Sequence, residues 1–392
     1  MGRADGQTVG RSVLLALAVL STPLAAQTQG DLRAFFRQAV AEEGIVGAGM
    51  LIVGRDGMVD SAFAGFADRD SRRPVTSQSI FHWASITKTF TAIGVMQLRD
   101  RGRLSVDDPI VKYVPELDQA HNPYGPMSDV KIRHLLSHSS GFRNPTWPWG
   151  GDKPWHPFEP TRWAQVVAML PYSELLFAPG SQYGYSNPGY IFLGRTIEKL
   201  TGEDYEVYVE KNVLRPLGMS HSYFDITPYH LLANRSNNYY LRDGIAAANG
   251  LDFDTGITVS NGGLNAPLAD MALYLRFLLG GHSPTDPPVI ARSTLDEMWR
   301  PVSPGGGEYG PKSRVGLGYF ILERDGVRLI GHTGSQAGFR SFFWIHPESG
   351  KAIIAVFNTS PPPDAPEGKG VKPDIQRVFD GLVDRFVAGL GK

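Results

Sequence analysis

Apolar residues recur along this chain with two periods, and their order predicts an architecture. After Asp31, read as a helix N-cap, Leu32, Phe35, Phe36, Ala39 and Val40 fall at i, i+3, i+4, i+7 and i+8, the stripe of an amphipathic helix. Two apolar runs follow, at 49–53 and 59–66, joined across Arg55-Asp56-Gly57, whose Asp-Gly pair favours the tight turn of an antiparallel hairpin. The far end repeats this grammar: a run at 318–323, a turn at Asp325-Gly326, runs at 327–331 and 339–345, a turn at Glu348-Ser349-Gly350, and a run at 352–357. A closing helix carries Ile375, Val378, Phe379, Leu382, Val383 and Phe386 on one face. The middle reads as helices and long loops, with helical stretches near 163–170, 190–201 and 268–279 and no internal repeat. The expected fold class is α/β of the α+β kind. One antiparallel sheet with flanking helices is built from both chain ends, 27–85 and 300–392, and a mainly helical region at 86–299 is inserted between them.

Composition narrows the function classes. The 38 basic and 39 acidic residues leave a formal net charge of −1, and no long basic run offers a footprint for nucleic acid. The absence of cysteine excludes disulfides, cysteine nucleophiles and thiolate metal sites together, so the apolar core must carry stability alone. The N-terminus has the parts of a secretory signal: Arg11, an apolar run at 12–20, then Ser21-Thr22-Pro23-Leu24-Ala25-Ala26-Gln27. That run is too short to span a bilayer. A signal peptide at 1–26, cut after Ala26, would deliver the chain to the periplasm or beyond, with no transmembrane anchor remaining. An uncut apolar anchor is the alternative.

The chemistry concentrates in Ser85-Ile86-Thr87-Lys88. Residues i and i+3 share a helix face, so the Lys88 amine can reach the Ser85 oxygen. Near the positive end of a helix dipole and shielded from water, a lysine loses part of its preference for the charged state. A neutral Lys88 is a base that can take the Ser85 proton and leave a nucleophile for an acyl group. Read structurally, the same tetrad is a serine N-cap followed by a solvated lysine. A second one, Ser128-Asp129-Val130-Lys131, takes that structural reading, with Ser128 opening a short helix through His134 and Lys131 in water. After Ser85, however, Ile86, Phe90, Ala92, Ile93, Val95, Met96 and Leu98 leave little polar face, the pattern of a helix buried nearly all round.

Other residues can complete a site. Tyr185-Ser186-Asn187, the only Y-x-N of the chain, sits in a Gly, Pro and Tyr-rich turn where a phenol and an amide can project together. Ordinary tyrosine titrates near ~10 and serves as a base only where cations favour its phenolate. His332-Thr333-Gly334-Ser335 ends the run at 327–331, and the glycines around it let a ligand lie close to the backbone. There the Ser335 N–H, with that of Ser85, can form a two-donor oxyanion hole. His134 and His138 stand one turn apart, a metal-binding spacing, but no H-E-x-x-H pattern accompanies them and they read as a structural helix and turn. The Trp-rich loop 144–155 reads either as a lid or as a loop pinned by its own tryptophans. Neither a metal nor a cofactor is called for, and the expected partner is a small-molecule or peptide substrate.

Taken together, Ser85-Ile86-Thr87-Lys88, His134-Leu135-Leu136-Ser137-His138-Ser139-Ser140-Gly141, Tyr185-Ser186-Asn187, Gly262-Gly263-Leu264 and His332-Thr333-Gly334-Ser335, in this order, resemble the class C β-lactamase family of serine hydrolases. That family also holds D-Ala-D-Ala carboxypeptidases, D-amino-acid peptidases and esterases. The resemblance implies a β-lactamase/transpeptidase-like fold, Ser85 as acylated nucleophile, Lys88 as its base partner and Tyr185 as proton shuttle. It further implies Asn187 on the substrate amide, Ser85 and Ser335 holding the oxyanion, and Asn358 within reach of a substrate carboxylate. The family's β-lactamases usually carry lysine where this chain has His332, and a His-Thr-Gly box looks more like the peptidase and esterase branches. A neutral histidine gives a weaker field for a carboxylate. The expectation is therefore an exported acyl-enzyme hydrolase of small esters, amides or D-amino-acid peptides, ahead of a β-lactamase or a binding protein without turnover.

Overall fold

Both ends of the chain converge on one sheet. The structure, a computed structural model, describes residues 2, 24–143, 160–250, 254–281, 289–307, 309–310, 313–365 and 371–390. The N-terminal part supplies β1 (Gly47–Gly54), β2 (Gly57–Asp68) and β3 (Arg73–Pro74). The strand β4 (Ile80–His82) precedes the middle, and β5 (Tyr223–Phe224), β6 (Tyr239–Arg242), β7 (Ile245–Ala248) and β8 (Leu264–Pro267) lie in it. The C-terminal part supplies β9 (Ser313–Val315), β10 (Phe320–Arg324), β11 (Val327–Gln336), β12 (Phe339–His346), β13 (Lys351–Phe357) and β14 (Thr359–Ser360). The large sheet runs β3-β2-β1-β13-β12-β11-β10-β9, with each neighbouring pair antiparallel. β1 and β13, from opposite ends of the chain, are the seam.

Local chemistry explains the hairpins. At Asp325-Gly326 both residues have positive φ, 49° and 77°, and Arg324 pairs directly with Val327, which is the two-residue turn that an Asp-Gly pair predicts. One face of the sheet is covered by α1 (Leu24–Glu42) and the closing helix Ile375–Ala388. Phe36 there meets Phe357 with ring centroids 6.3 Å apart, and Phe342 meets Phe379 edge-on at 4.6 Å. All six residues of the predicted closing stripe are buried. The other face carries Ile330, Phe343, Ile354 and Val356, packed into the core of the helical region. That region holds α2 (Thr87–Asp100), α3 (Ile132–Leu136), α4 (Trp163–Met169), α5 (Asn187–Thr201), α6 (Tyr205–Val209), α7 (Val259–Gly262), α8 (Leu268–Leu278) and α9 (Arg292–Met298); the closing helix is α10.

Several expectations are corrected. α1 begins at Leu24, so Asp31 lies inside the helix and does not cap it. Ser128 opens no helix: Met127–Asp129 is a single 3-10 turn, Val130 is extended, and α3 starts only after Lys131. The middle is less purely helical than its pattern suggests. β4-β8-β5 and β14-β6-β7 form two small sheets from strands of two to four residues, too short to show an alternating signature. β11 also runs five residues past Gly331, because pairing with β12 from Ile330↔Ile345 to Gln336↔Phe339 outweighs the weak strand propensity of its glycines. The apolar core of the expected signal peptide and the Trp-rich loop 144–155 lie outside the described residues. Among the described residues no helix is long and apolar enough to cross a membrane.

Candidate active site

Ser85 sits in a 3-10 turn, Ala84–Ile86, that leads into α2. Ala84 has φ +48°, a left-handed conformation that costs a residue with a side chain roughly 1–3 kcal/mol unless its surroundings impose it. Here they do. The Trp83 N–H donates to the Leu264 carbonyl at 2.9 Å, the Trp83 indole to Ala266 at 2.9 Å, and the Thr87 hydroxyl to the Ala84 carbonyl at 2.6 Å while accepting from the Leu264 N–H at 3.0 Å. β11 closes the other side. A Cβ at Gly334 would stand 2.3 Å from the Trp83 carbonyl oxygen, so only glycine lets the strand pass this close to the turn. Helix α2 is buried from Thr87 to Leu98, as its pattern predicts, and its threonines satisfy their hydroxyls on backbone, for example Thr89 on Ile86 at 2.8 Å.

Three chain segments meet at the Ser85 oxygen. The Lys88 Nζ donates to Ser85 Oγ at 3.0 Å, and the Tyr185 hydroxyl donates to the same oxygen at 2.8 Å. Lys88 is fully buried, and its Nζ also donates to Asn187 Oδ1 at 2.8 Å and to the Asn261 carbonyl at 2.7 Å. Those two oxygens can only accept. As an ammonium Lys88 therefore donates to Ser85 as well; as an amine it can turn its lone pair to the Ser85 hydroxyl. The Nζ lies 5.0 Å from the centre of the Tyr185 ring and 5.6 Å from that of Tyr190. Tyr185-Ser186-Asn187 straddles a helix start and is not wholly a turn: Ser186 caps α5 through its hydroxyl, which accepts from the Gly189 N–H at 3.2 Å, and Asn187 is the first helical residue.

Two histidines frame this cluster. His138, at φ +54°, stacks on Tyr185 with ring centres 4.3 Å apart, and its Nδ1 accepts from the Ser186 N–H at 3.1 Å. Its proton is thereby placed on Nε2, which is buried with no hydrogen-bond partner among the described residues. Burial, and then the nearby Lys88 charge, hold its pKa well below the usual histidine range. His332 is 2% exposed and stacks on Phe320 at 4.3 Å; its Nδ1 donates to the Thr333 carbonyl at 2.6 Å. Burial, then Lys88, push its pKa down to about 3, so it is neutral at pH 7. His134 turns elsewhere, accepting from the Lys131 N–H at 3.2 Å.

The box residues that follow line an open edge. β10 pairs with β11 only as far as Phe320↔Gly331, so 332–336 extends beyond it with one side free of a strand. An extended ligand can add there by main-chain hydrogen bonds. Thr333 accepts at its hydroxyl from the Tyr309 hydroxyl at 2.8 Å, and Ser335 is exposed. Asn358 is not brought into the cluster. It is fully buried, its Nδ2 donates to the Phe66 carbonyl at 3.0 Å and to Ser236 Oγ at 3.1 Å, and its Oδ1 accepts from Thr359 at 3.2 Å. The reading from sequence missed the Asn261 carbonyl and the ring of His138. The first is a backbone group that no residue type advertises, although the adjacent Gly262-Gly263 marks a close approach. The second lies in a box read as structural.

Residues 32–375 match the family described as Beta-lactamase. Protein flp of Staphylococcus aureus (strain COL) is 26% identical over 314 residues, which are 80% of this chain and 60% of that protein. The chain thus spans about three fifths of the length of that curated relative. Among solved structures, the octameric penicillin-binding protein homologue from Pyrococcus abyssi is 28% identical with a TM-score of 0.73, covering 90% of this chain and 76% of its own. A D-stereospecific amidohydrolase from Streptomyces sp. is 25% identical with a TM-score of 0.67, covering 92% and 98%. The fold is accordingly the β-lactamase/transpeptidase-like one, an antiparallel sheet flanked by helices.

Proposed function

The chain belongs to the beta-lactamase family, and from that premise we propose that it is an exported serine hydrolase working through an acyl-enzyme on Ser85. Its substrates are small esters, amides or peptides of the D-amino-acid type. The observation that carries this reading is the double hold on one oxygen, with Lys88 Nζ at 3.0 Å and the Tyr185 hydroxyl at 2.8 Å from Ser85 Oγ.

In the proposed reaction Ser85 Oγ attacks the carbonyl carbon as its proton passes to the Lys88–Tyr185 pair. The oxyanion forms between the N–H groups of Ser85 and Ser335, and Asn187 holds the substrate amide. Collapse breaks the bond to the leaving group, which takes the proton back from Tyr185. Water then attacks the acyl carbon as the same pair takes its proton, and collapse breaks the bond to Ser85 Oγ, which takes that proton back and is free again. His332 and Thr333 shape the edge on which the substrate lies, and Gly334 lets that edge approach the nucleophile. Solved structures similar to this chain include a penicillin-binding protein homologue and a D-stereospecific amidohydrolase, which supports peptide or amide chemistry. A class C-like β-lactamase would use the same acylation steps, but it would have to hold its carboxylate with a neutral histidine at position 332.

The test is p-nitrophenyl ester hydrolysis and labelling by a fluorescent phosphonate in wild type and Ser85→Ala. Many turnovers and a label are expected in wild type, with both lost in the variant. A Ser85→Ala protein that hydrolyses the ester at the wild-type rate overturns the proposal. One stoichiometric burst without further turnover would turn the reading to a penicillin- or cell-wall-peptide-binding protein. Export is tested by fractionating expressing cells, where a shortened chain outside the cytoplasm is expected.

A further inference from the structure

The oxyanion site read above takes one N–H from Ser85, on the turn after β4, and one from Ser335, near the end of β11. Two segments far apart in the chain must therefore keep one spacing. Side chains of a strand alternate between its faces, so Gln336 projects from the same face as Gly334, the glycine that passes against the Trp83 carbonyl. The Gln336 amide reaches across that contact: its Oε1 lies 3.0 Å from Nε2 of His82, the last residue of β4. His82 thus stands three residues before one donor, and Gln336 one residue after the other. The tip of the hairpin docks on the same strand. Ala337 and Gly338 turn it with φ +48° and +88°, and Phe339, paired with Gln336, meets the Phe81 ring edge-on with centres 6.3 Å apart.

The surroundings of His82 fix the direction of this contact. The ring is buried, and burial, then the Arg235 charge, push its pKa down to about 4, so at neutral pH it carries one proton. Asn265, paired with His82 across β8, claims that proton. Its Nδ2 donates to the carbonyls of Asp225 at 3.2 Å and Gly263 at 3.3 Å, so its Oδ1, 3.0 Å from His82 Nδ1, accepts from Nδ1–H. Nε2 is left an acceptor, which the Gln336 amide satisfies with its NH2. The oxygen and nitrogen of that group exchange by a half-turn, and the neutral ring selects the orientation that donates. Space around the amide is tight. A Cβ at Gly262 would stand 2.7 Å from Gln336 Oε1, so the glycine beside Asn261 leaves it room.

We propose that His82 and Gln336 are positioning residues for the oxyanion hole: their bridge ties the tip of β11 and β12 to β4 and so sets the spacing of the Ser85 and Ser335 N–H groups. This rests on the acyl-transfer reading above and assigns work to two residues outside its nucleophile, base and shuttle. Both act through the backbone they hold. A donor displaced by as little as about 1 Å can cost on the order of a hundredfold in rate, so a bridge beside the hole has a kinetic consequence.

The probes are a p-nitrophenyl ester and its thionoester, alike except that sulfur replaces the carbonyl oxygen. The developing charge then sits on a larger atom that a hole shaped for oxygen holds poorly, so the ratio of the two kcat/KM values reads the hole and not the overall stability. Wild type is expected to favour the ester by at least about a hundredfold. Gln336→Met keeps the length of the side chain and removes its hydrogen bond. Ester kcat should fall roughly tenfold to a hundredfold with KM within about threefold, and the ester preference should shrink by about tenfold. His82→Phe should act in the same way, and the double variant should lose no more than His82→Phe alone, because one bridge is broken only once. Gln336→Met, at the partly exposed end of the strand, decides alone if His82→Phe does not take the phosphonate label. A wild type indifferent to the exchange of oxygen for sulfur overturns the proposal. So does an unchanged ester preference in Gln336→Met, a loss confined to KM, or losses that multiply in the double variant. Ester hydrolysis that survives Ser85→Ala overturns the acyl-transfer reading and this role with it, whereas hydrolysis lost in Ser85→Ala but unaltered in Gln336→Met overturns the bridge alone.

Discussion

The chain contains the tetrad S-x-x-K twice, and the two copies meet opposite fates. At Ser85 and Lys88 the two side chains join at 3.0 Å inside a wall made by β8 and β11, and the lysine is fully buried. At Ser128 and Lys131 the serine is exposed on a 3-10 turn, Val130 is extended between them, and the lysine amine lies 4.0 Å from Asp107 with its side chain 43% exposed. The i, i+3 rule thus holds only where one continuous helical turn carries both residues. The first pair further differs in what surrounds it: Tyr185, Asn187 and the Asn261 carbonyl, from segments about 100 and 173 positions along the chain from Lys88, supply a partner for the Ser85 oxygen and acceptors for the amine. The second pair has water and one distant carboxylate.

The strongest way to break this contrast is to remove the two serines in turn. Ser85→Ala is expected to lower ester kcat/KM by at least about a thousandfold. Ser128→Ala should stay within about twofold, measured with the same p-nitrophenyl ester. Equal losses would mean that the second tetrad takes part in catalysis. The lysines come next. Lys88→Ala removes a proton carrier and the donor that Lys88 gives to the Asn261 and Asn187 oxygens, so kcat should fall by roughly a hundredfold to ten-thousandfold. Unfolding by urea should show a loss of about 2–4 kcal/mol. Lys131→Ala should change stability by less than about 0.5 kcal/mol, as exposed pairs do.

A smaller effect sharpens the contrast at His138, which touches only the first tetrad's surroundings. His138→Ala removes the ring behind Tyr185 and the acceptor of the Ser186 N–H, and should lower kcat about tenfold to a hundredfold with KM little changed. His138→Phe keeps a ring and should recover part of that loss; a change confined to KM would count against a positioning role. The smallest effect concerns acid. His332 titrates at about 3 in the folded chain, whereas an unfolded histidine takes its proton near ~6.5. Between these values the unfolded state holds more protons, so stability is complete above the upper one and falls as pH drops below it, by about 1.4 kcal/mol per pH unit for this residue. Urea unfolding at pH 7 and pH 5 should therefore show a loss in wild type that is about 2 kcal/mol smaller in His332→Gln. Parallel losses in the two proteins would mean that other groups carry the acid response.

What could be read without coordinates was whatever depends on neighbours in the chain. The stripe from Ile375 to Phe386 and the Asp325-Gly326 turn are local patterns, and each appears as expected. The pairing of Ser85 with Lys88 is local too, one helical turn apart. The helix boundary at Asp31 and the strand end at Gly331 were misread because tertiary packing overrode a local preference: α1 continues through Asp31, and β12 holds the glycines of β11 in register. Asn358 carries the right side chain at a suggestive place, yet its amide is committed to Phe66 and Ser236.

The sequence by itself determined the closing helix and the hairpins of the large sheet, the placing of Ser85 and Lys88 one helical turn apart, and a site box that has histidine at position 332. Tertiary structure alone decided which of the two S-x-x-K tetrads is buried, that a backbone carbonyl at Asn261 anchors the lysine, and that the ring of His138 backs Tyr185. The reason is physical. Periodicity and turn chemistry act over a few residues, whereas burial and stacking depend on which distant segments come to share a wall.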